Sequence, residues 1–301
     1  MCIICNGESL DNLRELFICE NVTDLMHLEF PDTLEDLWLY GSQIHTLPEL
    51  PKSLLYLHCE GCFYLSCLPE LPLFLLTLWC NDCIALKSIP KLPLSLEKFY
   101  CNGCILEVLP DLPPFLKRLD CWGCPLKSLP ELPLSLESLH CGGCVQLQYI
   151  PILPQFLTEF YCSGCVQLRY LPELPESLEV LECNNTRVLY IPKLPLSLKT
   201  LNCYGCSLLQ SLPEIPHMID SLNCKKCTSL IFIRESVVIS PDLLETINSN
   251  YLKWRKEQTL KLFSSTHGII YEELIKKTWH PDRVVDWCWD TEEVKWFKSL
   301  K

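Results

Sequence analysis

No stretch of this chain is long and apolar enough to cross a bilayer. The longest apolar run, Leu71–Cys80, has ten residues and is interrupted by Pro72 and Thr77, against the roughly 20 that a spanning helix needs. The opening residues, Met1 to Glu8, lack a basic region and turn polar within a few positions, which is not the pattern of a secretory leader. Basic residues are scarce as well. The 25 Lys+Arg against 37 Asp+Glu leave a formal net charge of −12, which argues against a nucleic-acid backbone as main partner. There is no glycine-rich phosphate loop and no defensible nucleophile–base pairing, so the expectation is a chain without enzymatic activity or cofactor. An intracellular, reducing compartment follows as the expected location, with free thiols.

Cysteine and proline are in excess, at 22 and 23 of 301 residues. A short secreted chain so rich in cysteine would be a disulfide scaffold, but 301 residues can bury a core without staples. Both excesses come from a repeat. Ser135–Leu147 reads SLESLHCGGCVQL and Ser197–Leu208 reads SLKTLNCYGCSL. Aligned on the first cysteine, the anchors are Cys59, Cys80, Cys101, Cys121, Cys141, Cys162, Cys183, Cys203 and Cys224, always 20 or 21 residues apart. The register extends back to Leu39 and Ile18, giving eleven turns. The template is S-L-x-x-L-x-C-x-G-C-x-x-L-x-x-L-P-x-L-P-x.

Each part of it has a mechanical reading. Leu139 and Cys141 lie at period two and point to one face of a short strand. Gly143 and its equivalents stand where the chain must leave the strand. Asp82 and Asn185 replace glycine there and tolerate a left-handed backbone, and Lys226 fits less well. Leu-Pro-x-Leu-Pro favours an extended, polyproline-like return over a helix. Stacked turns would pair their strands in parallel around a continuous leucine core.

These motifs resemble the leucine-rich-repeat signature L-x-x-L-x-L-x-x-N/C-x-L, occupied here by Leu136, Leu139, Cys141, Cys144 and Leu147. The short period with Leu-Pro-x-Leu-Pro is similar to the proline-rich type of bacterial effectors of the Yop M and Ipa H kind, and to repeat proteins of large DNA viruses. The resemblance covers roughly residues 10–232. It implies a β-rich solenoid with parallel strands on the concave face and extended convex returns. The expected division is residues 1–232 as solenoid, N-terminal cap included, and 233–301 as a small helical module.

The cysteines admit three readings. Cys59-x₂-Cys62 followed by Cys80-x₂-Cys83 has the spacing of a four-cysteine zinc site. Against zinc, Ile18 and Leu39 fill the first column in early turns, which marks an apolar core position. Asn21, Ser42 and Thr186 fill the second, so it calls for a small hydrogen-bonding residue. Cys183 also lacks its partner. Structural columns are therefore expected, with no metal. Zinc sites and disulfides between neighbouring turns stay open at this point.

Residues flanking each anchor should face outward from the core. They line the concave surface, which the family resemblance makes the usual binding face for a protein partner. Trp38, Tyr40, His58, Trp79, Tyr100, Trp122, His140, Tyr161 and Tyr204 lie there. Grouped exposed aromatics are what interface anchors look like, although large side chains can also simply shield a sheet. Residues 1–230 hold 14 basic and 26 acidic residues and so carry the whole net charge, many of the acids on the convex return.

After Ile233 the pattern ends. Ser240-Pro241-Asp242 reads as a helix start, a second helix is expected from about Ile269 to Trp279, and Asp290 to Glu293 can cap a third. His280-Pro281-Asp282 resembles the tripeptide of J-domain co-chaperones and also a C-terminal motif of viral repeat proteins. Cys288-x-Asp290 resembles the catalytic motif of effector ubiquitin ligases. These carry the alternative reading, in which the repeats select substrates for ubiquitin transfer or chaperone recruitment through the C-terminal module.

Overall fold

A computed structural model describes residues 9–230, together with Ile4 and Phe232–Ile233. The tail helices, Cys288, the His280-Pro281-Asp282 stretch and the Cys2/Cys5 pair lie outside the described residues.

Each turn contributes one three-residue strand. These are β1 (Glu15–Phe17), β2 (Asp36–Trp38), β3 (Tyr56–His58), β4 (Thr77–Trp79), β5 (Lys98–Tyr100), β6 (Arg118–Asp120), β7 (Ser138–His140), β8 (Glu159–Tyr161), β9 (Val180–Glu182), β10 (Thr200–Asn202) and, after a two-residue β11 (Ser211–Leu212), β12 (Ser221–Asn223). All but β11 form one parallel sheet of eleven strands in sequence order. A second small parallel pair joins β11 to β13 (Phe232–Ile233).

The middle residue of each strand from β1 to β10 points into the core and is buried; Phe99 and Phe160 replace leucine there. The anchor residue follows one position beyond the strand and is buried as well. The anchor N–H continues the ladder by donating to the next turn, as Cys141 does to Tyr161 O at 2.8 Å. The chain then bends through a left-handed residue. Gly143 has φ 68° there, and Asp82, Asn185 and Lys226 adopt the same region at 56°, 53° and 61°. Lys226 thus takes the conformation despite its side chain.

The return re-enters the strand through a turn begun by the second proline, as when Leu136 N donates to Pro133 O at 3.1 Å. Serine locks this corner to the preceding turn. Ser135 Oγ lies 2.8 Å from both Pro114 O and Leu116 O, and Ser95, Ser177 and Ser197 repeat the bracket. The serine of the template is therefore an edge clamp.

Both cysteine columns are interior. Every second-column thiol donates to the anchor carbonyl of the turn before: Cys62 to Leu39, Cys83 to Cys59, Cys104 to Cys80, Cys124 to Cys101, Cys144 to Cys121, Cys165 to Cys141, Cys206 to Cys183 and Cys227 to Cys203, over 2.9–3.3 Å. Ser42 and Thr186 join the column through 3.3 Å contacts to Cys62 and Cys206. The thiol adds to the longer backbone bond that several of these carbonyls accept from their own turn, as when Cys124 N donates to Cys121 O at 3.3 Å, and so completes their pairing in the core.

The two columns also bond to each other. The Cys141 thiol bonds to Cys165 in the next turn, which raises Cys141 and lowers Cys165. Cys183 and Cys206 behave alike, and Cys206 falls to about 7. At Cys62 and Cys224 burial dominates and pushes the thiols up to about 11 and about 12. Among the described residues no group of three or more His, Cys, Asp or Glu is placed to hold a metal.

Cys124→Val removes one of these donors while keeping an apolar side chain. It is expected to lower stability by about 1 kcal/mol, read as a lower urea midpoint with unchanged slope, whereas Cys124→Ser should lose less.

Candidate protein-binding face

Alternation along a three-residue strand sends its first and third residues to the concave face. The residue after the anchor adds a third column. The concave face is therefore three residues wide and eleven strands long.

The third-residue column begins with an aromatic stack. Phe17 and Trp38 have ring centroids 5.5 Å apart, Trp38 and His58 3.4 Å, His58 and Trp79 4.0 Å, and Trp79 and Tyr100 5.5 Å. The planes lie within 15° of parallel. Parallel in-register strands cause this, because Trp38, His58, Trp79 and Tyr100 are direct neighbours across the sheet. Stacked rings shield the backbone and support one another. The stack ends at Tyr100, whose neighbour is Asp120. Beyond it, His140 and Tyr161 form a separate tilted pair at 4.1 Å.

His58 is only 6% exposed. It is an interior member of the stack and offers a partner little surface. Its Nε2 lies 3.5 Å from Asp36 Oδ1, an oxygen that makes no hydrogen bond. The carboxylate favours the imidazolium, but burial between two indoles opposes it. Burial prevails, and His58 is lowered to about 4. Asp36 is raised by its own burial and by Glu15 and Glu35. Both groups are thereby driven toward their neutral forms.

The column after the anchors is mixed. Tyr40 is 72% and Trp122 57% exposed, so both present a large free surface. Gly142 makes room for the Trp122 indole; a Cβ there would lie 3.0 Å from Trp122 Cδ1. Other members brace the bend. Asn81 Oδ1 accepts from Asn102 N at 3.0 Å, and Asn102 Oδ1 accepts from Trp122 N at 3.1 Å. Asn81 Nδ2 in turn donates to Glu60 at 3.2 Å. Tyr204 is half-buried, with Lys226 Nζ 5.2 Å above its ring.

The first-residue column was not read from the sequence, although period two from the third residue reaches it. Tyr56 is half-buried there, Thr77 and Ser138 are buried, and Ser138 Oγ donates to Glu159 at 2.8 Å. Lys98 and Arg118 are exposed and face each other in register. Three lysines elsewhere meet acids on neighbouring turns, in Lys117–Glu97, Lys127–Glu107 and Lys199–Glu179 at 2.6–3.0 Å. Lys98 and Arg118 form no ion pair among the described residues. Like charges set opposite each other in a sheet destabilise it.

The fold is shared with solved structures. YopM from Yersinia enterocolitica WA-314 superposes with a TM-score of 0.59 at 28% identity, over 77% of this chain and 54% of that one. A leucine-rich effector protein, YopM from Yersinia pestis, superposes with a TM-score of 0.59 at 30% identity, over 77% of this chain and 70% of that one. The chain thus spans about half the length of the first relative. No protein-family model matches the sequence, and no curated protein matches it either.

The state of His58 makes stability depend on pH. The unfolded chain takes up its proton near the ordinary value of 6.5, and the folded chain resists until about 4. Stability contributed by the neutral imidazole is complete above 6.5 and falls as pH drops through this window, by up to about 1.4 kcal/mol per pH unit. Raised Asp36 acts in the opposite sense, at the acid end. Urea midpoints measured from pH 7 to 4.5 should fall for the parent chain, and His58→Phe should flatten that slope.

Proposed function

This chain belongs to the leucine-rich-repeat family, and from that premise we propose that it is a non-enzymatic scaffold binding a protein partner across its concave aromatic face. The observation that carries this reading is the coincidence of exposed Tyr40 and Trp122 with the uncompensated pair Lys98 and Arg118 on one concave surface. Aromatic anchors supply contact area, and Tyr, Trp and Arg dominate binding energy at interfaces. The face also has an order. The stacked rings run from β1 to β5, the two cations sit on β5 and β6, and Asp120, Glu159 and Glu182 sit on β6, β8 and β9 among further rings.

The relative from Yersinia pestis is described as an effector protein. We extend that role to this chain as action on host-cell factors, in a viral or bacterial setting. Two columns of buried thiols suit a reducing, intracellular compartment. Residues 233–301 are proposed as a separate C-terminal module.

Trp79→Ala combined with Trp122→Ala should lower partner recovery in affinity capture from host-cell lysate by at least about tenfold, with the circular dichroism spectrum preserved. Recovery of the same proteins at parental levels by the double variant contradicts the proposal.

A further inference from the structure

The flank that follows the bend carries a second feature, independent of the concave face. The turns anchored at Cys141 and Cys162 are 21 residues long and place two residues between the second-column cysteine and the next buried leucine, Val145-Gln146 and Val166-Gln167. The turn anchored at Cys183 has 20 residues, and only Arg187 stands between Thr186 and buried Val188. The shorter turn leaves a step beside its longer neighbours. A cleft of about 400 Å³ lies there, lined by Gln148, Val166, Gln167, Arg169, Tyr170 and Arg187.

The flank after the bend is poor in acids, as at 42–47, 63–68, 84–89 and 125–130, and this cleft adds two arginines to it. Residues 1–230 hold 26 acidic residues against 14 basic ones, yet no Asp or Glu occurs at positions 145–150, 166–171, 187–190 or 207–212. Arg169 and Arg187, two of the four arginines in residues 1–230, meet in one cleft. Neither forms an ion pair with any described residue. The walls are held in place. Leu189 N donates to Arg169 O at 3.0 Å, Gln148 Nε2 donates to Gln167 Oε1 at 3.4 Å, and the Tyr170 ring lies 5.8 Å from that of Tyr190.

We propose that this cleft is a binding site for a phosphate monoester. Two guanidinium forks offer more donors than one carboxylate can accept, whereas a phosphate dianion matches both in charge and in its three terminal oxygens. The Gln148 amide adds a neutral donor, and the Tyr170 ring offers an apolar wall for the ester group. The volume suits a small ligand or a single modified side chain. Acids farther away than a Debye length of about 8 Å at physiological ionic strength are screened, whereas a ligand in direct contact with both arginines is not.

Isothermal titration of the full chain with phenyl phosphate and with phosphoserine, in chloride buffer at physiological ionic strength, tests the site. Saturable 1:1 binding with Kd below about 1 mM is expected. Arg169→Gln with Arg187→Gln should weaken it at least tenfold, and the concave pair Lys98→Gln with Arg118→Gln should leave it unchanged. The two ligands distinguish the sources. Tighter phenyl phosphate assigns the site to aryl esters through Tyr170, and equal affinity assigns it to the phosphate group alone. Absence of saturable binding overturns the proposal, as does binding that survives the arginine double variant or falls equally with the concave one. None of these outcomes bears on partner capture by the concave face.

Discussion

The bend after each strand leaves the anchor carbonyl inside the core, and in eight turns it accepts a side-chain hydrogen bond from the next turn. The donor is a thiol. Cys144 reaches Cys121 O at 3.3 Å and Cys165 reaches Cys141 O at 3.1 Å, and six further turns do the same. A cysteine fits because it is small, tolerates an apolar surrounding and still donates weakly. The bond spans two turns, so it sets their stacking as well as satisfying a polar group. Ladder register, the columns of the concave face and the step at Arg187 all inherit that stacking.

Regular stacking turns a sequence period into a surface. Strands that pair residue for residue bring Trp38, His58, Trp79 and Tyr100 into one line, where each ring leans on the next. The same register that builds the stack forces Lys98 against Arg118, a juxtaposition the sheet would be more stable without. Irregularity is equally informative. The turn anchored at Cys183, one residue shorter than both its neighbours, borders a flank cleft.

Much of this could be read from the residues, because repetition averages out local ambiguity. The strand positions, the left-handed bend and the interior nature of both cysteine columns follow from what substitutes at each place: Ile18 and Leu39 in one column, Ser42 and Thr186 in the other. The column of Lys98 and Arg118 escaped because the anchors, one residue beyond the strands, were the reference for finding the concave face. Burial of His58 and the bracing by Asn81 and Asn102 depend on which side chain leans on which neighbour. Spacing along one chain does not encode that. Phe17 extends the aromatic column one turn before Trp38, where the repeat is weakest in the sequence.

The central claim is that the cysteine columns are architecture, held inside the solenoid as hydrogen-bonded thiols. Native-state alkylation with iodoacetamide across a urea series, read by mass spectrometry, tests it most directly. The seventeen column cysteines are expected to stay unmodified until the solenoid unfolds, while exposed Cys67 reacts at once. Column cysteines that are alkylated at the Cys67 rate in the native protein would contradict the account.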